Sequence, residues 1–143
     1  MQHVVCTACN ATNRVADGQD GREGKCGKCG KPLFAATPAD LGAAAIEAQI
    51  ARSGIPVVID VWAPWCGPCR VMGPEFQKAA GTLEPRVRFL KLNSDENQDL
   101  AGRLGIRGIP TMILFRDGRE AARVSGAMPS AQIVRWIEDG LAA

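Results

Sequence analysis

With 143 residues and 46% hydrophobic side chains, the chain is long enough for one core-forming domain of about a hundred residues plus a small module that needs help to fold. Its 17 basic and 15 acidic residues leave a formal charge of +2, which argues against a nucleic-acid backbone or an anionic membrane surface as partner. No stretch approaches the ~20 apolar residues of a membrane span, and Met1-Gln2-His3-Val4-Val5-Cys6 has neither the basic nor the apolar region of a signal peptide, so a cytoplasmic location is expected.

The six cysteines fall into three Cys-x-x-Cys pairs, Cys6 with Cys9, Cys26 with Cys29 and Cys66 with Cys69. In a reducing compartment such pairs serve metal binding or redox turnover rather than structural bridging. Residues 1–35 form the first module. Val4, Val5, Val15, Leu33 and Phe34 are too few to make a core alone, so a metal has to hold this segment together. Cys6-Thr7-Ala8-Cys9 and Cys26-Gly27-Lys28-Cys29 are separated by sixteen residues, a spacing that fits a four-cysteine zinc site. Each pair can form a knuckle whose backbone N–H groups point at sulfur, provided that the residue after the second cysteine tolerates positive φ. Asn10 and Gly30 occupy those places. Zinc held by four thiolates carries about −2, and residues 1–35 contain five Arg or Lys against three Asp or Glu, an excess that offsets it. The competing readings are a second redox pair or an iron centre.

Residues 36–143 form the second domain, with twelve basic and twelve acidic side chains. Thr37 or Ala36 as cap, Pro38 at a first helical position and Leu41, Ala45, Ile46 and Ile50 at helical spacing predict a helix over 38–52, stopped by Gly54. Val57 to Val61 is an apolar run broken only by Asp60, as expected of a central strand covered on both faces. The next helix starts at Cys66 and Cys69 and continues through Met72, Phe76 and Ala80, with a kink expected at Pro74. Val87 to Asn93 alternates as a buried strand, and Ser94 is placed to cap a short helix ending near Leu104. Thr111 to Phe115 and Glu120 to Ser125 flank the turn signal Asp117-Gly118, and Pro129 opens a last helix with Ile133, Trp136 and Ile137 on one face. Strands separated by helices imply parallel pairing and the final hairpin an antiparallel edge, so an α/β fold with a mixed sheet flanked by helices is predicted.

Trp65-Cys66-Gly67-Pro68-Cys69 sits where a strand hands over to a helix. A thiol there meets unpaired backbone N–H groups and the positive end of the helix dipole, so its thiolate is favoured. Cys66 is therefore the attacking sulfur, and Cys69, one turn further in, can resolve the mixed disulfide. A carboxylate among apolar strand residues is costly to bury, so Asp60 must be neutral with a raised pKa or paired, Lys91 being the candidate partner. His3 is the only histidine and lies far from the motif. Arg70 keeps a positive charge near Cys66. Trp62 and Trp136 are expected to pack in the core or near the site.

The run from Val57 to Arg70, with Pro74, Lys91-Leu92-Asn93, Gly108-Ile109-Pro110-Thr111, Asp117-Gly118 and Gly126-Ala127, resembles thioredoxin from about residue 37 to 143. With the four-cysteine segment ahead of it, the chain is similar to the zinc-finger-bearing thioredoxin-2 type of bacteria. The resemblance implies a thioredoxin fold with a small N-terminal zinc ribbon, and an attacking thiol with a pKa near 7, a value taken over from thioredoxin itself. It favours Asp60 as a slow general base that exchanges the Cys69 proton through water. It implies a cis peptide at Pro110, which the base rate for X-Pro bonds alone does not suggest. It implies a substrate site at Trp65, Gly67, Pro68, Ile109, Pro110, Gly126 and Ala127, in which the Ile109 backbone pairs with an extended substrate. The activity implied is reduction of protein disulfides, with an NADPH-dependent thioredoxin reductase restoring the dithiol and a monomer as the working unit. The alternatives are an oxidase or isomerase on the same fold, and a zinc-dependent binding or chaperone module to which the redox domain is subordinate.

Overall fold

The computed structural model describes residues 2–16 and 21–143. Asp17 and Asp20, two acids counted in the module's charge balance, lie outside the described residues. Two strands, β1 (Gln2–Val5) and β2 (Thr12–Val15), pair antiparallel with Gln2 opposite Val15 and Val5 opposite Thr12. The remaining elements are β3 (Ala39–Asp40), α1 (Ala43–Arg52), β4 (Val57–Trp62), α2 (Gly67–Leu83), β5 (Arg88–Asn93), α3 (Gln98–Arg103), β6 (Thr111–Arg116), β7 (Arg119–Ser125) and α4 (Ser130–Ala142). β3 to β7 form one five-stranded sheet in the order β3-β5-β4-β6-β7.

β4 lies at the centre, and its alternation sorts the core into two layers. Val58 joins Met72, Phe76, Phe89, Met112, Leu114, Ile133 and Ile137 on the face covered by α2 and α4. Val57, Ile59 and Val61 join Ile46, Leu90, Leu92, Leu100 and Ile113 on the face of α1 and α3. Each fully buried aliphatic or aromatic side chain contributes about 1.5–3 kcal/mol, and the Phe76 and Phe89 rings add a tilted contact at 5.0 Å. Pro74 lies inside α2 without ending it.

Three expectations are corrected. The helix predicted from residue 38 starts at Ala43, because Ala39 and Asp40 pair with Leu90 and Lys91 as a short parallel strand. An edge strand completes the backbone hydrogen bonding of β5, and the Leu41 N–H continues it by donating to the Lys91 carbonyl at 3.0 Å. The cap of α1 comes from elsewhere in the chain: the Asn97 side-chain oxygen accepts from the Ala43 N–H at 3.0 Å. Ser94 does not cap α3. Its hydroxyl donates to the Trp62 carbonyl at 3.1 Å, while Asn93 Oδ1 accepts from the N–H groups of Asp95 and Glu96. Finally, β4 and β5 are parallel as predicted, but β6, for which the preceding helix implied parallel pairing, runs antiparallel on the other side of β4. The connection through α3 thus carries the chain across the sheet to the opposite edge of β4. The β6–β7 hairpin turns at Asp117 and Gly118 with φ of 53° and 79°, which Asp and Gly tolerate better than other residues.

The module ahead of the sheet is tied to it by buried polar groups. The Arg88 guanidinium, at the start of β5, donates to the Leu33 carbonyl at 2.7 Å and to the Val5 carbonyl at 2.8 Å. It stacks on the Phe34 ring at 4.2 Å. The Gln49 amide of α1 donates to the same Val5 carbonyl at 2.9 Å. Ile55 packs with Val4, Val15, Leu33 and Phe34 in one apolar cluster. A Cβ on Gly54 would lie 2.8 Å from the His3 nitrogen, so only glycine admits this close approach.

Candidate active site and candidate metal centre

The end of β4 delivers Ala63 to Cys66 to the edge of the sheet, and Cys66 is the N-cap of α2. The Cys69 N–H donates to the Cys66 sulfur at 3.2 Å, so the sulfur takes the place of a capping side-chain oxygen. The two sulfurs are at bonding distance, with the α-carbons 5.3 Å apart. Both residues are buried, yet only Cys66 lines the open groove of about 690 Å³ beside the motif. Position on the groove, more than overall exposure, distinguishes the two thiols.

Trp65, Gly67 and Pro68 form one wall of that groove, and Ile106 to Ile109 lie opposite. Trp65 is 66% exposed, with its indole N–H donating to Asp95 at 2.9 Å. The Ile109–Pro110 bond is cis, and the Ile109 carbonyl lies 3.9 Å from the Cys66 sulfur. The Thr111 hydroxyl donates to the Gly108 carbonyl at 2.6 Å, holding this loop. Gly126 donates its N–H to the Pro110 carbonyl at 2.9 Å. Of the predicted substrate residues, Trp65, Gly67, Pro68 and Ile109 line the groove, Ala127 belongs to a separate recess with Val71, Glu75, Met128 and Pro129, and Pro110 and Gly126 line neither. Arg70 donates to the Trp65 carbonyl at 3.5 Å. Asp95 and Arg107 flank the groove without having been singled out by the sequence; a local motif cannot reveal a side chain that reaches the site from another loop.

Asp60 is fully buried on the α2 face of β4, and neither carboxyl oxygen has a hydrogen-bond partner. Burial pushes its pKa up to about 7, against the opposing pull of Lys91. Lys91 is its cross-strand neighbour on β5 and places its ammonium 4.7 Å from the centre of the Trp62 ring. Asp60 can therefore hold or release a proton near neutrality beneath the helix that carries Cys69.

The other four cysteines converge. The Cys6 and Cys29 sulfurs are 3.6 Å apart, those of Cys9 and Cys26 also 3.6 Å, and all four lie within 4.8 Å of one another. A tetrahedral zinc with Zn–S bonds of about 2.3 Å sets sulfurs about 3.8 Å apart, so the donor set fits that ion. Asn10 and Gly30 adopt φ of 66° and 77°, and the Ala8 and Lys28 N–H groups donate to the Cys6 and Cys26 sulfurs at 3.3 and 3.4 Å. Asn13, on β2, adds its amide to the Cys26 sulfur at 3.5 Å and accepts from the Gly27 N–H at 2.9 Å. The Cys29 and Lys28 backbones and Asn13 hold the Cys26 thiol down at about 6, whereas, against the Ala11 backbone, burial and the neighbouring cysteines push the Cys9 thiol up to about 11.

The thioredoxin family model matches residues 38–139. Thioredoxin M-type, chloroplastic, from Chlamydomonas reinhardtii is 42% identical over 62% of this chain and 64% of its own length. A thioredoxin from Synechocystis sp. is 38% identical over 73% of this chain and 96% of its own. Chloroplastic thioredoxin z superimposes with a TM-score of 0.69 and 30% identity over 77% of this chain and 99% of the other. With a cysteine pair at bonding distance at the helix end, a cis-proline facing it and a family match over residues 38–139, the chain belongs to the thioredoxin family of thiol–disulfide oxidoreductases.

Proposed function

We propose that the chain is a protein-disulfide reductase. The observation that carries this reading is the Cys66 sulfur, capped by the Cys69 N–H at 3.2 Å on the wall of an open groove. In the dithiol form the Cys66 thiolate attacks one sulfur of a substrate disulfide and expels the other as a thiolate, forming a mixed disulfide. Cys69, giving up its proton to Asp60 through water, then attacks the Cys66 sulfur. The second substrate thiol departs, the substrate has gained two electrons, and Cys66 and Cys69 have lost them as a disulfide. Trp65, Gly67, Pro68, Ile109, Pro110, Gly126 and Ala127 hold the extended substrate backbone, and a thioredoxin reductase drawing on NADPH returns the dithiol.

Cys6, Cys9, Cys26 and Cys29 bind structural zinc within residues 1–35, and residues 36–143 are the catalytic domain. Zinc supplies a fixed tetrahedral anchor for a segment with little core of its own. Oxidation of these thiolates is the route by which the metal would leave, which would make the module redox-sensing. Both the cycling dithiol and the thiolate site suit a cytoplasmic, reducing compartment, and among the described residues no helix is long and apolar enough to cross a membrane. The working unit is a monomer.

An insulin-reduction assay tests the activity. The full chain should precipitate the insulin B chain in the presence of a dithiol reductant, and Cys66→Ser should fall to the rate of the reductant alone. Reduction that survives Cys66→Ser would refute the assignment.

A further inference from the structure

We propose that Asp40 is a positioning residue for the buried carboxyl of Asp60, acting across the sheet through the Lys91 ammonium. The register sets the three residues in one row: Asp40 of β3 is opposite Lys91 of β5, and Lys91 is opposite Asp60 of β4. Directly paired residues on neighbouring strands project from the same face of a sheet. That face is the one beneath α2, since Phe89 and Val58, two residues before Lys91 and Asp60, pack against Met72 and Phe76. The row runs from fully buried at Asp60, through half-buried at Lys91, to exposed at Asp40 on the edge strand.

One cation thus acts through space on two carboxyls. An ammonium drawn toward Asp40 stabilises the Asp60 carboxylate less, and the Asp40 charge repels it directly. Asp40 raises the proton affinity of Asp60 while Lys91 lowers it, and Lys91 is also the strongest charge acting on Asp40. The surroundings leave few competitors. Met112 is opposite Asp60 on β6. Cys69 is the only titratable side chain among the buried residues of α2, and those of α4 are Ile133 and Ile137. Glu96 acts on Asp40 at the outer end of the row. Lys91 also lines a cleft of about 640 Å³ with Pro38, Gly73, Pro74, Gln77 and Lys78, and the Lys78 ammonium is paired with Glu75 at 3.1 Å. The middle of the row thus borders this cleft, while Asp60 itself is fully buried.

The role proposed for Asp40 rests on the reading of Asp60 as the group that exchanges the Cys69 proton, and the two can be tested apart. The measurement is a carbon-13 carboxyl titration of the reduced full chain, followed by the pH dependence of insulin reduction. In Asp40→Asn the Asp60 midpoint should fall by about half a unit to one unit, the scale of one charge about two strands away. Asp40→Glu, which restores the charge, should return it toward wild type. The reduction profile should shift to lower pH in Asp40→Asn, and in an Asp60→Asn background Asp40→Asn should shift nothing further. An Asp60 midpoint unmoved in folded Asp40→Asn overturns the proposal. A midpoint that falls while the rate profile stays in place upholds the role of Asp40 and instead refutes Asp60 as the proton acceptor.

Discussion

Asp60 holds its proton near neutrality because its fully buried carboxyl has no hydrogen-bond partner and Lys91 offsets the burial only in part. The folded value of about 7 lies above the ordinary 3.8, so folding takes up a proton between these values. Ionisation of Asp60 costs the fold almost nothing below about pH 4, and this cost grows as pH rises until the carboxyl is ionised in both states. Asp60→Asn should therefore match wild type at about pH 4 and exceed it at about pH 8, by on the order of 3 to 4 kcal/mol. Urea unfolding at both pH values checks this, and equal gains at the two would contradict it. The sequence already exposed the anomaly, since one acid interrupts an apolar strand, and it named Lys91 as candidate partner. It concealed Asp40, because residues 38–52 read as a single helix and a row across strands exists only once Ala39 and Asp40 pair with β5.

Elements that carry their own pattern were legible. β4 and α2 show their periods in the sequence, and the cysteine motif sits at their junction, so the position of the candidate site followed from local order. Pairing between distant elements was not. β6 follows a helix and could have run parallel, yet it lies antiparallel to β4, and nothing within its six residues encodes that choice. Arg88 is a similar case at the N-terminal end of β5. In the sequence it is an ordinary alternating strand position; in the fold it is 3% exposed and reaches Val5, 83 residues away. Arg88→Met keeps much of the apolar contact with Phe34 but leaves the Val5 carbonyl with Gln49 alone and strips the Leu33 carbonyl of this donor. The cost should be about 2 to 4 kcal/mol in the seating of β1 and β2. Hydrogen exchange should show amides of residues 2–15 losing protection while those of β4 keep theirs; uniform loss across both would mean that Arg88 supports the sheet rather than the junction.

At the scale of the molecule, the six cysteines divide by neighbourhood. Four meet on paired knuckles, close enough for one tetrahedral ion. Two sit at the start of α2 with their sulfurs at bonding distance, and of these Cys66 lines a groove. The buried cluster of Val4, Val15, Leu33 and Phe34 takes in Ile55 from just before β4, while the candidate site draws on β4, α2 and the loop before β6. The proposed function gives exchange to Cys66 and Cys69, with attack by Cys66. The most direct test is to mix reduced Cys69→Ser chain with a disulfide-bonded protein and map any covalent adduct by mass spectrometry. A stable mixed disulfide on Cys66, with none on Cys6, Cys9, Cys26 or Cys29, is the expected result. An adduct on one of those four, or capture by Cys69 in Cys66→Ser at the same rate, would contradict it.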